Sequence, residues 1–453
     1  MEAAYELAIP QRGKLLKILG LGFGLAICIG ATVGVGILRS PGLIAQYLGS
    51  PGLIMFAWAL GAVYAILGAN VLAELGTSTP KSGGMYVFAH RALGDYWGFV
   101  AGVCDWFQTA VALAFLAVVF GEYAASLFAP NVAGARPAFS VAVLVMLAAL
   151  NWKGVREGST MQKMTSFLKA LALVAFVVAC FMYGGQTSSE NVAHPVVQSA
   201  SSGAFASVVA FILAFQLVLG TYEGWQGPVY FSEENVDPAR SIPQSLFGGI
   251  LLITAIYLLV NLALIYVLPM TQLAGSKFAG ADAMSLIYGE RSGQILTVLA
   301  LLSILGILNA YLMANPRISL ALARDGLFPQ QAKAINAGGT PYIGLLFTTI
   351  FAAVFAALGS FELLLAIAQF FSVSISIIVI VSFFRLRRRE PETPRPFKAW
   401  GYPLLPGIVL ICSASVFVGY AVGNPFPSAI AFAVILLTYP TYRLIKRRIG
   451  ALR

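Results

Sequence analysis

Long apolar runs, separated by short polar or basic stretches, dominate the chain from residue 18 onward. A helix that crosses a bilayer needs about 20 predominantly apolar residues. Twelve runs approach or meet that length, over 18–38, 52–74, 96–119, 138–154, 163–183, 205–231, 244–268, 293–315, 341–359, 362–384, 403–422 and 426–442. Gly359 and Ser360 separate the ninth from the tenth. Glycine interrupts the pattern inside two of the runs, at Gly30-Ala31-Thr32-Val33-Gly34-Val35-Gly36 and at Gly220-Thr221-Tyr222-Glu223-Gly224-Trp225-Gln226-Gly227. Glycine destabilises a helix interior by about 1 kcal/mol relative to alanine, so clusters favour local unwinding. Unwound backbone at membrane depth is tolerated only where protein buries it or where it lines a cavity.

The spacing of the runs predicts an organisation. A polar, serine-rich connection at 184–204 divides the first ten spans into two groups of five. Because five is odd, the second group starts from the opposite face, and two such groups of one fold are related by inverted topology. Each glycine break falls in the first span of its group. The expected segments are a cytoplasmic N-terminus (1–17), a first five-helix repeat (18–183), an extracellular loop (184–204) and a second five-helix repeat (205–384). A basic cytoplasmic loop (385–402), two further helices (403–445) and a cytoplasmic C-terminus (446–453) complete the chain. A half-helix starting inside the membrane presents unpaired amides and a partial positive charge, which suits a carboxylate. The half-helix before it ends in unpaired carbonyls, which suit an ammonium or a metal cation. The two ends of an α-amino acid match this pair, and so does a carboxylate with a sodium ion. Paired breaks in two halves are the mark of a transporter's binding site.

Composition narrows the class further. The chain is 59% hydrophobic and 10% charged, against roughly 25% charged in soluble domains. Of its 28 Lys and Arg residues, 23 fall on the side that holds both termini. Arg39, Arg136, Lys277 and Arg291 fall on the other, and Lys169 lies within a span. This bias puts the termini in the cytoplasm and the chain in the plasma membrane. The basic runs read as topology signals and lipid-headgroup contacts, not as a nucleic-acid surface. The apolar run after Arg12, Lys14 and Lys17 is too long for a cleavable signal peptide. Cys28, Cys104, Cys180 and Cys412 lie in spans without metal-ligand spacing. His90 and His194 fall in loops on opposite sides, so no metal site or proton relay joins them. The glycine-rich segments follow no strand, which excludes a dinucleotide site, and no Walker loop or catalytic triad appears. No cofactor and no enzyme chemistry are expected.

Five blocks in order resemble the amino acid–polyamine–organocation superfamily. They are Gly34-Val35-Gly36-Ile37-Leu38; Trp58 to Gly61 with Gly68-Ala69-Asn70-Val71-Leu72-Ala73-Glu74-Leu75-Gly76 and Pro80-Lys81-Ser82-Gly83-Gly84-Met85-Tyr86-Val87; Ser232 to Pro243; Ala323-Arg324-Asp325-Gly326-Leu327-Phe328-Pro329; and Arg385 to Lys398. The resemblance covers essentially the whole chain. It implies an all-α membrane protein with twelve transmembrane helices: a leucine-transporter-like 5+5 inverted repeat, discontinuous helices 1 and 6, and two extra C-terminal helices. It implies uptake or exchange of amino acids or related amines, with the backbone of residues 31–36 holding the carboxylate and amino group and residues 220–224 completing the pocket. Three positions depart from the family pattern. Gly220 stands where a bulky aromatic gate is common, Leu38 replaces a phenylalanine, and Glu223 is not general. Phe215, Tyr222 and Trp225 are the candidate replacements for the gate, and a larger pocket is the alternative. These departures bear on the substrate rather than the fold.

Single residues carry the remaining expectations. The candidate substrate-binding set is Ala31, Thr32, Gly34, Val35, Gly36, Gln108, Gly220, Tyr222, Glu223 and Gly224; the coupling candidates are Lys169 and Glu223. An ammonium near the bilayer centre needs a partner. By resemblance, Lys169 matches a lysine of sodium-independent members and bonds carbonyls of the first break. Proton coupling, a static staple and snorkelling to the cytoplasmic edge are all open for it. Glu223 either meets a cationic substrate or a proton, or satisfies local amides or Lys169. Asp105 is read as interfacial. Asn309, Tyr311, Gln369, Ser372 and Ser374 are read as interhelical hydrogen-bonding groups, and Glu74, Glu233, Glu234 and Asp325 as ion pairs at the cytoplasmic ends. The expected function is a secondary transporter moving amino acids by alternating access, sodium-independent and either proton-coupled or exchanging. A polyamine or cationic amino acid carrier and a non-transporting amino acid sensor are the alternatives. Any accessory subunit is left open.

Overall fold

The computed structural model describes residues 13–183, 204–289, 292–358 and 361–450. Helices α1 (Leu21–Thr32) and α2 (Gly36–Leu48) are together long and apolar enough for one span and are bent by 46° at the break between them. They are followed by α3 (Pro51–Ser78), a short α4 (Met85–Leu93), α5 (Asp95–Phe128), α6 (Ala135–Lys153) and α7 (Val155–Tyr183). Beyond the undescribed connection come α8 (Ala204–Tyr222), a 3₁₀ helix (Gly227–Glu234) and α9 (Pro238–Val267). Two short helices, α10 (Met270–Gly275) and α11 (Ala279–Tyr288), lead to α12 (Ser292–Arg324). The chain ends in α13 (Tyr342–Leu358), α14 (Phe361–Arg389), α15 (Leu404–Gly423) and α16 (Pro425–Gly450). Among the described residues, ten helices are long and apolar enough to cross a membrane, or eleven with the bent pair counted as one. Helix α13, at 17 residues, is shorter.

The interior is graded. Helix α12 has 67% of its most apolar window buried, against 17% for α15 and α16, so α12 is central and the last two helices are peripheral. Helix α5 packs against both α12 and α14 in the middle of the bundle, and α1 lies between α7, α9 and α12. The segment before α1 is pinned by backbone bonds from Leu19 N–H to the Glu234 carbonyl (2.9 Å) and from Val236 N–H to the Leu19 carbonyl (2.8 Å).

Several boundaries differ from expectation. The first span extends to Leu48 rather than residue 38, because Arg39-Ser40-Pro41 continues α2 with Pro41 inside it. The first break is confined to 33–35, so Ala31 and Thr32 belong to the last turn of α1. The second break lies at 223–226, and Gly220 belongs to α8. Beyond that break the helix is 3₁₀ rather than α, with Pro228 at its start and non-helical backbone at Phe231. His90 sits in α4, not in a loop. His194, the Gly359–Ser360 separator, and residues 1–12, 184–203 and 451–453 of the expected segments fall outside the described residues.

Candidate functional site

The first break is held open by side chains behind it. Val33 is extended, and Val35 precedes α2 without a side-chain cap. Fully buried on α7, Lys169 donates to the carbonyls of Gly30 (2.9 Å), Val33 (2.8 Å) and Ser303 (3.1 Å). In a continuous helix the carbonyls of Gly30 and Val33 would accept from the amides four residues on, at Gly34 and Ile37. The ammonium takes over both. Among the described residues, the amides of Gly34, Val35, Gly36 and Ile37 receive no backbone acceptor. They leave a donor surface at the N-terminus of α2. The Tyr257 hydroxyl lies 3.0 Å from the Thr32 carbonyl and 2.9 Å from that of Thr221. One hydroxyl hydrogen serves one of them at a time, so Tyr257 ties the ends of α1 and α8 together.

Side chains also shape the second break. The Gln226 Oε1 accepts from Gly224 N–H (3.1 Å), while its Nε2 donates to Glu223 Oε1 (3.0 Å). Gly224 has φ +118°, and a Cβ there would lie 2.5 Å from the Ala31 carbonyl oxygen. The second break therefore packs against the last turn of α1, and it does so where a glycine is required. Among the described residues no basic side chain pairs with Glu223; Lys169 is committed to carbonyls.

Two adjoining cavities meet at this contact. The larger, of about 540 Å³, is lined by Thr32, Gly34, Val35 and Gly36. The smaller, of about 110 Å³, is lined by Tyr222 and Gly224. Ala31, Gln108, Gly220 and Glu223 line both. Lys169 lines neither; it lies behind the break. Tyr311, Gln369, Ser372 and Tyr420 also line both cavities. Polar residues on apolar helices are the sequence signal for the first three. Tyr420 has none, since it lies on α15, outside both five-helix groups. Tyr222 and Trp225 line the smaller cavity, and Phe215 lines neither. Toward the surface the larger cavity ends beside exposed Arg39 and Glu362.

The opposite end is sealed. The Arg317–Glu234 pair is almost fully buried, and the guanidinium lies 4.4 Å from the centre of the Phe231 ring. Arg324 pairs with Glu233 at 2.7 Å, and Tyr86 donates to Asp325 at 2.7 Å. Glu74 is clasped by Arg387 and Arg395, and Glu390 by Arg91. Asp105 is not interfacial. It is completely buried and accepts from the Tyr230 hydroxyl at 2.6 Å, joining α5 to the 3₁₀ helix. Asn309 bonds Asn151 (2.9 Å) and Gln162 (2.8 Å) across helices, whereas Ser374 bonds its own helix at Phe370. Among the described residues no group of His, Cys, Asp or Glu is arranged to hold a metal ion.

A family model described as amino acid permease matches residues 23–439. The serine/threonine exchanger SteT of Bacillus subtilis is 26% identical, with 96% of this chain and 98% of the relative covered. The Asc-type amino acid transporter 1 of Mus musculus is 29% identical over 96% of this chain and 82% of its own. The large neutral amino acids transporter small subunit 2 of Homo sapiens is 28% identical over 96% and 83%. These relatives are transporters rather than enzymes. With apolar spans, two helix breaks beside adjoining cavities and a family match over nearly its whole length, the chain belongs to the amino acid permease family of multi-pass membrane transporters, within the amino acid–polyamine–organocation superfamily.

Proposed function

We propose that this permease exchanges amino acids across the plasma membrane by alternating access, without sodium. In this reading α13 completes twelve spans, residues 18–183 and 205–384 form two inverted five-helix repeats, and 403–445 adds two peripheral helices. Both termini are cytoplasmic, so the Arg39–Glu362 mouth faces outward. The substrate carboxylate meets the free amides of residues 34–37 at the start of α2, where the helix dipole favours an anion. The amino group meets carbonyl oxygens at the ends of α1 and α8.

The observation that carries the reading is the contact of the second break, at Gly224, with the last turn of α1, at Ala31, where Ala31 lines both cavities and Gly224 the smaller one. Sodium independence rests on Lys169, whose three hydrogen bonds already put a cation on the carbonyls of the first break. Exchange is favoured over net symport by the similarity to the serine/threonine exchanger.

The test is counterflow in proteoliposomes. Labelled amino acid should enter only vesicles preloaded with unlabelled amino acid, equally well in sodium or choline media and without a pH gradient. A strict sodium requirement, or accumulation driven by a proton gradient into empty vesicles, refutes the corresponding part.

A further inference from the structure

Gly220 lines both the large cavity and the smaller chamber, which is also walled by Tyr64 on α3, Gln369 on α14, and Ser413 and Tyr420 on α15. Residue 220 puts no side chain between the two. A Cβ built there would meet nothing closer than Gln369 Nε2 at 3.8 Å. The chamber's 110 Å³ compares with roughly 10–15 Å³ for one water on that measure, which is room for several heavy atoms. Tyr64 and Ser413 satisfy each other at 2.9 Å. Glu223 is the single charged side chain among the described residues that line the chamber, and it lines the large cavity as well. Gln226 and Ser372 hydrogen-bond it, and no basic side chain of the described residues pairs with it. A carboxylate in a mainly apolar chamber is costly without a counter-charge. A cation brought by the ligand supplies one, through a charge-assisted hydrogen bond.

We propose, building on the amino acid exchange reading above, that the substrate's side chain extends past Gly220 into this chamber and that Glu223 selects amino acids whose side chain ends in an ammonium or guanidinium. Gly220 provides the doorway and Glu223 the counter-charge.

The test compares counterflow of L-lysine, L-norleucine and L-serine by the purified full-length protein in proteoliposomes. Lysine and norleucine share a linear chain and differ in the ammonium. Wild type should prefer lysine to norleucine, and Glu223→Gln should lower the lysine-to-norleucine ratio about tenfold or more, whatever the absolute rates become. Gly220→Phe should lower exchange of lysine and norleucine alike relative to serine. A wild type that prefers norleucine, or a ratio unchanged in Glu223→Gln, overturns the assignment of Glu223. In either case serine or norleucine exchange leaves the permease reading standing. If a folded, monodisperse wild type exchanges none of these nor any other α-amino acid, the exchange reading fails, and this inference with it.

Discussion

Lys169 does the work of two backbone bonds. Its ammonium replaces the helical amides that would otherwise reach the carbonyls of Gly30 and Val33, and it adds the Ser303 carbonyl of α12. Methionine fills similar space without a donor, and each buried carbonyl left unpaired costs about 1–3 kcal/mol. Lys169→Met should therefore lower the thermal unfolding midpoint and abolish exchange together, read by a melt in detergent and by counterflow. A normal melt with intact exchange would show that the ammonium is dispensable to both. Gly224 is the second such residue. Alanine there adds backbone strain of about 1–3 kcal/mol and drives a methyl into the Ala31 carbonyl. Gly224→Ala should impair exchange severely, whereas Gly22→Ala, where a Cβ meets nothing within 4 Å, should leave it near wild type.

At the scale of elements, the sealed end decides which conformation is held. Its links differ in strength because they differ in burial. An exposed ion pair such as Arg324–Glu233 contributes about 0.2–1 kcal/mol, whereas breaking a buried pair such as Arg317–Glu234 costs about 3–5 kcal/mol. Glu233→Gln should therefore shift the balance of open and closed states by no more than about fivefold, while Glu234→Gln should compromise folding; melts and initial exchange rates separate the two. The Glu390 clasp between α14 and α4 adds a pH test. Burial pushes its carboxyl up, but the hydrogen bond and charge of Arg91, with Thr393 and Arg395, outweigh burial and hold it below the ordinary range. A depressed carboxyl stabilises the fold above its unfolded pKa of about 4.3 and loses that stabilisation as pH falls through its folded value. The difference in melting midpoint between wild type and Glu390→Gln should be constant from neutral pH to about 5 and shrink below about 4.3. A difference that instead fades between pH 7 and 5 would refute it.

For the whole molecule, much is legible because membrane physics writes in long apolar runs and glycine breaks. The spans and the approximate sites of both interruptions can be read that way. Gly220 reads as part of a break because glycine composition does not say which glycine needs its freedom; φ +118° falls on Gly224 alone of the second cluster's residues. Asp105 reads as interfacial because its partner, Tyr230, lies 125 positions away. Tyr420 is invisible because a peripheral helix reaching the site leaves no periodic trace. The sidedness proposed above rests on charge bias, and the cavity's open end gives that proposal a direction of access. Open beside Arg39 and Glu362 and shut around Glu234 and Arg317, the molecule should admit reagents from outside the cell. Leu365, half-buried on the wall of the large cavity, is the position to probe. Among the native cysteines Cys28, Cys104 and Cys180 are buried and Cys412 is partly exposed, so the wild type sets the background. In intact cells Leu365→Cys should react with a membrane-impermeant thiol reagent, and saturating substrate should slow that reaction by occupying the cavity or closing its mouth. Reaction only when the reagent is supplied to the cytoplasmic face would invert the orientation derived from the basic residues, and with it the direction in which the sealed end must open.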